Sequence, residues 1–335
     1  MALSEIGEFG LIERFSKSFR DFALPGMTGI GDDCAIMPLD DQYEQVVTTD
    51  LLIEDIHFLR SAISPFDLGY KSLAVNLSDI AAMGGQPTGS FLSIALPPDM
   101  ELSFMDGFIE GYRELSSKYN VPLLGGDTTK SPDKLVINVC VMGKTIKGKA
   151  RKRSMARHGD VICVTGPLGD SGAGLKAILE DHDPDELLKP LLQWHTRPEP
   201  AVNEGLWLAS RPEVHAMIDV SDGIASDLGH VIKSSEVGAH IDMEKVPVSD
   251  ALKKAAPKYQ WDATELALSA GEDYRLLLTL EEKNAEAIIN AYNQAFPEPL
   301  TPVGKITSDA RGGIEWFRNG QKVDFSRGGF NHFSG

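Results

Sequence analysis

The stretch Gly29-Ile30-Gly31-Asp32-Asp33-Cys34-Ala35 places two adjacent carboxylates between glycines and an apolar run. Two unit charges about 4 Å apart, at an effective dielectric constant near 20, repel each other by roughly 4 kcal/mol. Such a pair is costly unless a cation lies between the side chains. Mg²⁺ accepts oxygen ligands and combines a few carboxylates with substrate phosphates. The stretch therefore indicates a divalent-cation site at the start of a strand.

Acidic residues recur beside small or hydroxyl residues at the ends of four further apolar runs. The segments are Thr48-Thr49-Asp50, Asn76-Leu77-Ser78-Asp79, Gly125-Gly126-Asp127 and Asp219-Val220-Ser221-Asp222-Gly223. For any single segment, an Asp that caps a turn is at least as good an interpretation. Five together favour one shared metal site, because α/β folds collect their ligands at strand ends. Gly125 and Gly126 would also let the backbone approach a phosphate closely.

Length and charge restrict the class of protein. A chain of 335 residues is long enough for two domains. Its net charge of −17 disfavours nucleic acid and anionic membranes as partners. A polyphosphate could still bind if metal ions reverse the local charge. The three cysteines have no metal-binding spacing, and no signal peptide or membrane span is recognisable, so we expect a cytoplasmic protein with reduced thiols.

Hydrophobic periodicity predicts an α/β fold of the α+β type in two parts. In the first part we expect a helix that starts at Ser64-Pro65 and stops at Gly84-Gly85, and a short strand over Val121–Leu124. Further elements are predicted at 9–15, 34–38, 45–49, 91–96, 104–119, 135–142, 161–164, 187–194, 217–220, 224–233, 276–280 and 285–295. A hairpin is predicted around Asn319-Gly320. The basic segment 144–157 suggests domains of residues 1–150 and 151–335.

Several motifs have two interpretations. The glycine-rich segment 166–174 follows a strand and opens a helix, so it could meet an anion, but a plain strand-to-helix turn is favoured about two to one. Glu272-Asp273 could cap a turn or present a carboxylate to a cationic ligand. Arg153 lies in a basic cluster that is usually a solvated loop, yet its planar guanidinium suits phosphate. His57 is more often a surface residue than a catalyst, and His195 has no partner pattern.

Taken together, these motifs resemble the thiamine-monophosphate kinase family over nearly the full chain. The segments that carry the resemblance are Glu8–Ile12, Gly29–Ala35, Thr48–Asp50, His57-Phe58, Tyr70–Asp79, Ala82–Gly84, Gly125–Thr129, Asp219–Gly223 and Gly271–Tyr274. The Gly-Gly-Asp element also occurs in aminoimidazole ribonucleotide synthetase and other relatives of that superfamily. The order and combination favour the thiamine enzymes.

The resemblance implies a two-domain architecture like that of aminoimidazole ribonucleotide synthetase, in which the N-terminal domains of a homodimer pair into a β-barrel. It implies transfer of the γ-phosphoryl group of ATP to thiamine monophosphate, with several Mg²⁺ ions. The implied metal ligands are Asp33, Thr48, Thr49, Asp50, Asp79, Asp127, Asp219 and Asp222. The implied nucleotide contacts are Gly126, Asp127, Arg153 and Ser221, and the implied contacts to thiamine monophosphate are His57, Glu272 and Phe330. Among these, Asp50, Asp127, Asp222 and Arg153 are the expected catalytic residues.

Two positions depart from the family pattern. Arg275 stands where an acidic residue is usual, and Phe330 stands where Tyr or Trp is expected. Two other functions stay open at this point: another ATP-dependent synthetase of the superfamily, and a non-catalytic divalent-ion-binding protein.

Overall fold

The structure is a computed structural model that describes residues 3–19, 22, 25–309 and 313–325. It opens with helix α1 (Leu3–Phe19), whose backbone departs from helical angles at Gly7. Two sheets follow, with helices packed against them. The predicted α/β class is confirmed.

The first sheet has five strands in the order β1-β2-β5-β3-β4. Its elements are β1 (Ala35–Pro38), β2 (Tyr43–Ile53), α2 (Pro65–Ala82), β3 (Gln86–Leu96), α3 (Leu102–Tyr119), β4 (Leu123–Lys130) and β5 (Val136–Ile146). Strands β3 and β4 run parallel, and the other neighbours are antiparallel. The main difference from prediction is β4, which continues through Gly125-Gly126-Asp127. A side chain at Gly126 would place its Cβ 1.7 Å from the Leu92 carbonyl oxygen, so this glycine permits close pairing with β3.

Helix α2 lies at the centre of the molecule. Ser64 caps it by accepting a hydrogen bond from the Asp67 backbone N–H at 3.0 Å, and the helix ends before Gly84, as predicted. Most of its side chains are buried, because it packs against α3, against β2 and β5 of the first sheet, and against β7 (Val214–Asp219) of the second. Residues on α2 are therefore held rigidly between the two halves.

The second sheet has seven strands in the order β12-β11-β8-β10-β6-β9-β7. Its strands are β6 (Val161–Thr165), β7 (Val214–Asp219), β8 (Gly238–Asp242), β9 (Leu276–Leu280), β10 (Leu300–Thr307), β11 (Ile314–Arg318) and β12 (Gln321–Val323). Its helices are α4 (Asp170–Leu179), α5 (Leu188–Thr196), α6 (Val202–Ala209), α7 (Ile224–Ser235), α8 (Asp250–Tyr259), α9 (Ala263–Ser269) and α10 (Glu282–Ala295). The predicted hairpin is confirmed, with Asn319 and Gly320 both at positive φ.

Sequence reasoning missed β8, β10, α6, α8 and α9. Strand β10 contains Pro302 and Gly304, which are strand-breaking signals, and they coincide with a register shift against β6. Helix α8 contains Pro257, and β8 begins with Gly238. Tertiary packing overrides local propensity at these elements. Among the helices within the described residues, none is long and apolar enough to span a membrane.

Candidate active site

Three of the predicted metal ligands converge. Asp33, Asp79 and Asp219 each offer a carboxylate oxygen within 4.8 Å of the other two. Asp33 comes from the turn before β1, Asp79 from the last turn of α2 and Asp219 from the end of β7. The cluster therefore joins both sheets through the central helix.

Neighbouring hydroxyl and amide groups orient this cluster. Ser78 donates a hydrogen bond to Asp219 Oδ2 at 2.6 Å, and Thr48 donates one to Asp79 Oδ2. Asp50 follows Thr48 on β2, and its backbone N–H donates to the Asn76 side chain at 3.1 Å. The side chain of Asn76 thus ties β2 to α2 beside the carboxylates.

Burial makes the cluster electrostatically costly. Desolvation and the neighbouring Asp33 raise the pKa of Asp219 to about 8, and desolvation raises the pKa of Asp50 to about 6. Burial, followed by the charges of Asp50 and Asp219, also raises the pKa of Asp79. Asp33 Oδ2 is buried without a hydrogen-bond partner among the described residues. An all-oxygen donor set with an unpaired buried oxygen fits a hard divalent cation.

Arg153 is the cationic neighbour of this cluster. It lies in a short 3₁₀ helix after the first sheet, where its guanidinium donates to Asp33 Oδ1 and its Nε lies 3.9 Å from Asp32 Oδ1. The solvated-loop interpretation is wrong, because the side chain is only 21% exposed. Burial raises the pKa of Asp32 to about 7, with a further contribution from Asp33.

A cavity of about 1280 Å³ adjoins the cluster. Its acidic lining includes Asp50, Asp79, Asp219 and Asp222, and Thr49 and Ser221 also line it. Other walls are apolar, formed by Ile56, Leu59, Ile63, Leu175 and Ile178. The cavity thus offers oxygen ligands and an apolar surface to one bound molecule.

His57 and Glu272, for which the resemblance implied substrate contacts, both line the cavity. His57 Nδ1 accepts a hydrogen bond from the Ile53 backbone N–H at 3.0 Å, so a neutral ring carries its proton on Nε2. Glu272 pairs with Lys71 at 3.0 Å, and His195 lies 3.3 Å from the same carboxylate oxygen. Burial tends to raise the pKa of Glu272, but the charge and hydrogen bond of Lys71 outweigh it, so the pKa is lowered and the carboxylate is ionised.

The sequence suggests two possible roles for the Glu272-Asp273 pair, presenting a carboxylate to a ligand or capping a turn, and each residue has one of them. While Glu272 faces the cavity, Asp273 is buried and accepts hydrogen bonds from the backbone N–H groups of Gly169 and Ser171, at 2.6 and 3.2 Å. These amides open α4, so an internal carboxylate fills the position that an anionic ligand would take. The structure supports the plain-turn interpretation of the glycine-rich segment. The unusual Arg275 lies over the Trp194 ring at 4.1 Å and is buried beside Asp273 and Asp170.

Gly126 and Asp127 lie outside this cavity. In the sheet register, Asp50 pairs with Val139, Val139 with Leu92, and Leu92 with Gly126. Three strand spacings, a distance of about 14 Å, separate Asp50 from Gly126. A single ion therefore does not bridge Asp50 and Asp127 of the same chain. The expected contact Phe330 falls outside the described residues.

Sequence reasoning missed several groups near the site. Asp227 on α7 accepts a hydrogen bond from the Asp222 backbone N–H at 3.2 Å, and burial raises its pKa. Lys71 and His195 were not singled out either, although an isolated lysine within the apolar helix pattern was a usable signal for Lys71. No sequence signal marks His195, because its contact with Glu272 exists only in the folded structure.

Comparisons with known proteins identify the family to which the chain belongs. The AIR synthase related protein models match in both halves, the N-terminal domain at residues 31–145 and the C-terminal domain at residues 157–317. Thiamine-monophosphate kinases of Salmonella typhimurium and Escherichia coli are each 40% identical, with 98% of both chains covered. The chain belongs to the thiamine-monophosphate kinase family. The resemblance seen in the sequence is confirmed.

Solved structures of this family have the same fold. The structure described as "AaThiL complexed with AMPPCP and TMP" is 33% identical with a TM-score of 0.86, and 99% of each chain is covered. Thiamine monophosphate kinase from Aquifex aeolicus gives a TM-score of 0.81 at 33% identity, covering 97% of this chain and 100% of that one. A HypE–HypF complex chain, at 18% identity and a TM-score of 0.74, shows the fold alone.

Proposed function

We propose that this protein is an ATP-dependent kinase that converts thiamine monophosphate to thiamine diphosphate, releasing ADP. The observation that carries the proposal is the convergence of Asp33, Asp79 and Asp219 beside a cavity lined by His57 and Glu272. An acidic cluster suits metal-bound phosphates, while an ionised carboxylate in a partly apolar pocket suits a cationic heteroaromatic ring. Domains 1–150 and 151–335 would each supply part of this site. Three free cysteines fit a cytoplasmic location.

The chemistry requires alignment and charge neutralisation rather than a strong base. A phosphate monoester has a second pKa of about 6, so the attacking oxygen of thiamine monophosphate is largely ionised near neutral pH. Mg²⁺, when bound, supplies the positive charge that lets two anionic phosphates approach. Asp33, Asp79 and Asp219 would hold it, together with Thr48, Thr49, Asp50 and Asp222. Arg153 would then contact the nucleotide phosphates through its planar guanidinium.

The transfer is direct and in line, without a phosphoenzyme. His57 would donate from Nε2, and Glu272 would accept from the donor groups of the thiamine ring system. Ser221 lies on the loop between β7 and α7, lines the cavity and would contact the nucleotide. A phosphorylated protein intermediate that passes its group to thiamine monophosphate at a competent rate would contradict this mechanism.

The direct test is product analysis with ATP, Mg²⁺ and either thiamine monophosphate or thiamine as the acceptor. We expect thiamine diphosphate and ADP in equal amounts from thiamine monophosphate, and no phosphorylation of thiamine. Conversion of thiamine alone would overturn the substrate assignment. Consumption of ATP without either product would favour a synthetase, and metal binding without turnover would favour a simple ion-binding protein.

We also infer a homodimer, on the basis of strand β4. This edge strand is exposed along its whole length, and Leu123 and Leu124 are 49% and 54% exposed. An unpaired apolar edge is a template for pairing with another chain. If β4 pairs with a second copy and closes a β-barrel, Gly126 and Asp127 would reach the partner's acidic cluster across the new interface. This arrangement accounts for their separation from Asp50 within one chain.

Complementation tests the shared site. Asp127→Asn and Asp50→Asn are each expected to be inactive, but mixing the unfolded chains and refolding them yields heterodimers with one intact site. Random pairing predicts about one quarter of the wild-type activity. No recovery in mixtures that form heterodimers would place Asp127 in the site of its own chain, and sedimentation as a monomer would reject the dimer.

A further inference from the structure

Helix α2 carries two chemically different groups along one face. Lys71, Val75 and Asp79 are spaced four residues apart, so they share a face, and all three line the cavity. Asp79 belongs to the acidic cluster, whereas Lys71 contacts Glu272. Eight residues of helix span on the order of 12 Å. The helix thus fixes a distance between the phosphate side and the ring side of the cavity.

Lys71 is held with little freedom. Its side chain is 1% exposed, and its Nζ donates to the His195 carbonyl oxygen and to Glu272 Oε2, at 3.0 Å in each case. A hydrocarbon side chain would fill the same space without the desolvation cost of an ammonium group. The specific effect of the lysine is therefore on Glu272, whose side chain remains 26% exposed at the cavity.

The backbone of Glu272 is anchored as well. Its φ of 63° lies in the left-handed region, and its N–H donates to the Ser221 carbonyl oxygen at 2.7 Å. The carboxylate is thus tied to α2 through its side chain and to the loop after β7 through its backbone. Both anchors lead back to elements that carry the acidic cluster, since Asp79 is on α2 and Asp219 ends β7.

We propose that Lys71 is a positioning residue that locks the Glu272 carboxylate, and that α2 thereby acts as a spacer between ring recognition and phosphate transfer. The spacer selects acceptors whose hydrogen-bond-donating or cationic end lies on the order of 12 Å from the phosphate. This inference rests on the proposed function and adds the determinant of acceptor length. Lys71 acts through Glu272 and makes no contribution to the nucleotide.

The test compares Lys71→Met with the wild-type enzyme in steady-state kinetics and in calorimetric binding of thiamine monophosphate. Losing the orientation of a charged hydrogen-bond acceptor is expected to raise KM and Kd for thiamine monophosphate by about 10- to 100-fold. KM for ATP and kcat at saturation should change by less than about twofold. Lys253→Met, an exposed lysine on α8, is the matched control and should match the wild type.

Two further measurements separate positioning from a structural role. Lys71→Ala should recover affinity for thiamine monophosphate with propylammonium, which has the length of the deleted side chain, but not with neutral propanol. Lys71→Met and Glu272→Gln should be strongly non-additive in a double-mutant cycle. The thiazole phosphate, which lacks the aminopyrimidine ring, should be used equally poorly by the wild type and by Lys71→Met.

Unchanged KM for thiamine monophosphate in folded Lys71 variants would overturn the proposal. So would equal increases in KM for both substrates, additive effects in the cycle, or rescue by propanol. If Lys71→Met does not fold, the decisive comparison is the use of thiamine monophosphate and of the thiazole phosphate by Glu272→Gln. If Glu272→Gln still discriminates against the thiazole phosphate as the wild type does, the spacer proposal is contradicted. Failure of the proposed function is distinguishable, because the wild-type enzyme itself would then not phosphorylate thiamine monophosphate.

Discussion

Removing one charge from the buried aspartate cluster should stabilise the metal-free protein at alkaline pH. The perturbation is Asp219→Asn, which keeps an oxygen acceptor for the Ser78 hydroxyl. The pKa of Asp219 is raised from 3.8 to about 8 by desolvation and by Asp33. A group with a raised folded-state pKa stabilises the fold fully below its unfolded pKa, and that contribution is lost as pH rises through the folded value.

The magnitude follows from the same linkage. Between about pH 6.5 and about pH 8, a carboxyl with these two pKa values loses about 1.5 kcal/mol of folding free energy. For a chain of this length, such a change lowers Tm by about 2 °C. His195 and His230 do not obscure this window, because burial lowers the pKa of His195 to about 3 and that of His230 to about 4. Their titration affects stability only below about pH 6.5.

The assay is urea unfolding of both proteins in EDTA across this pH range, repeated with Mg²⁺. The free energy of unfolding of the wild type should fall relative to Asp219→Asn as pH rises, and Mg²⁺ should reverse the fall in the wild type only. A difference between the two proteins that stays constant with pH would refute the reasoning. Equal stabilisation of both by Mg²⁺ would remove Asp219 from the metal site.

Substitutions at four other positions test the packing and the site. Gly111→Ala should destabilise the fold by about 3 kcal/mol or more, because the new Cβ would lie 1.8 Å from a backbone carbonyl oxygen of α2. In the same urea assay, Gly229→Ala should stabilise the fold by about 0.5 kcal/mol, because its Cβ would lie in open space. Glu199→Ala should lower the free energy of unfolding by about 2 kcal/mol, since this carboxylate accepts hydrogen bonds from two tyrosine hydroxyls and a lysine of the first domain. Glu199→Gln should lower it by less, and equal losses in the two variants would exclude the hydrogen bonds as the cause. Arg153→Lys should raise KM for ATP about tenfold, because an ammonium group lacks the planar fork that matches phosphate; an unchanged KM would argue against a nucleotide contact.

Local sequence signals predicted helix ends and turns closely wherever a few neighbouring residues determine the backbone conformation. The Ser64-Pro65 start and Gly84-Gly85 stop defined α2 closely, since capping and glycine conformations are properties of a few neighbouring residues. The Asn319-Gly320 turn was defined in the same way. Asp33 was identifiable from its adjacent carboxylate, because the two charges repel each other unless a cation lies between them. Asp79 and Asp219 were identifiable from their positions beside small or hydroxyl residues at the ends of apolar runs.

Only the tertiary structure decided which of these residues meet. Asp127 was grouped with Asp50 by its motif, but the sheet register separates them by three strand spacings, because register is set by long-range pairing. The contact of Lys71 with Glu272 and His195 joins residues up to 201 positions apart, and no local pattern specifies it. The sequence by itself determined the ligand types and the helix that carries one of them, Asp79. Packing of that helix between two sheets determined the distances, because such contacts depend on how the whole core is filled.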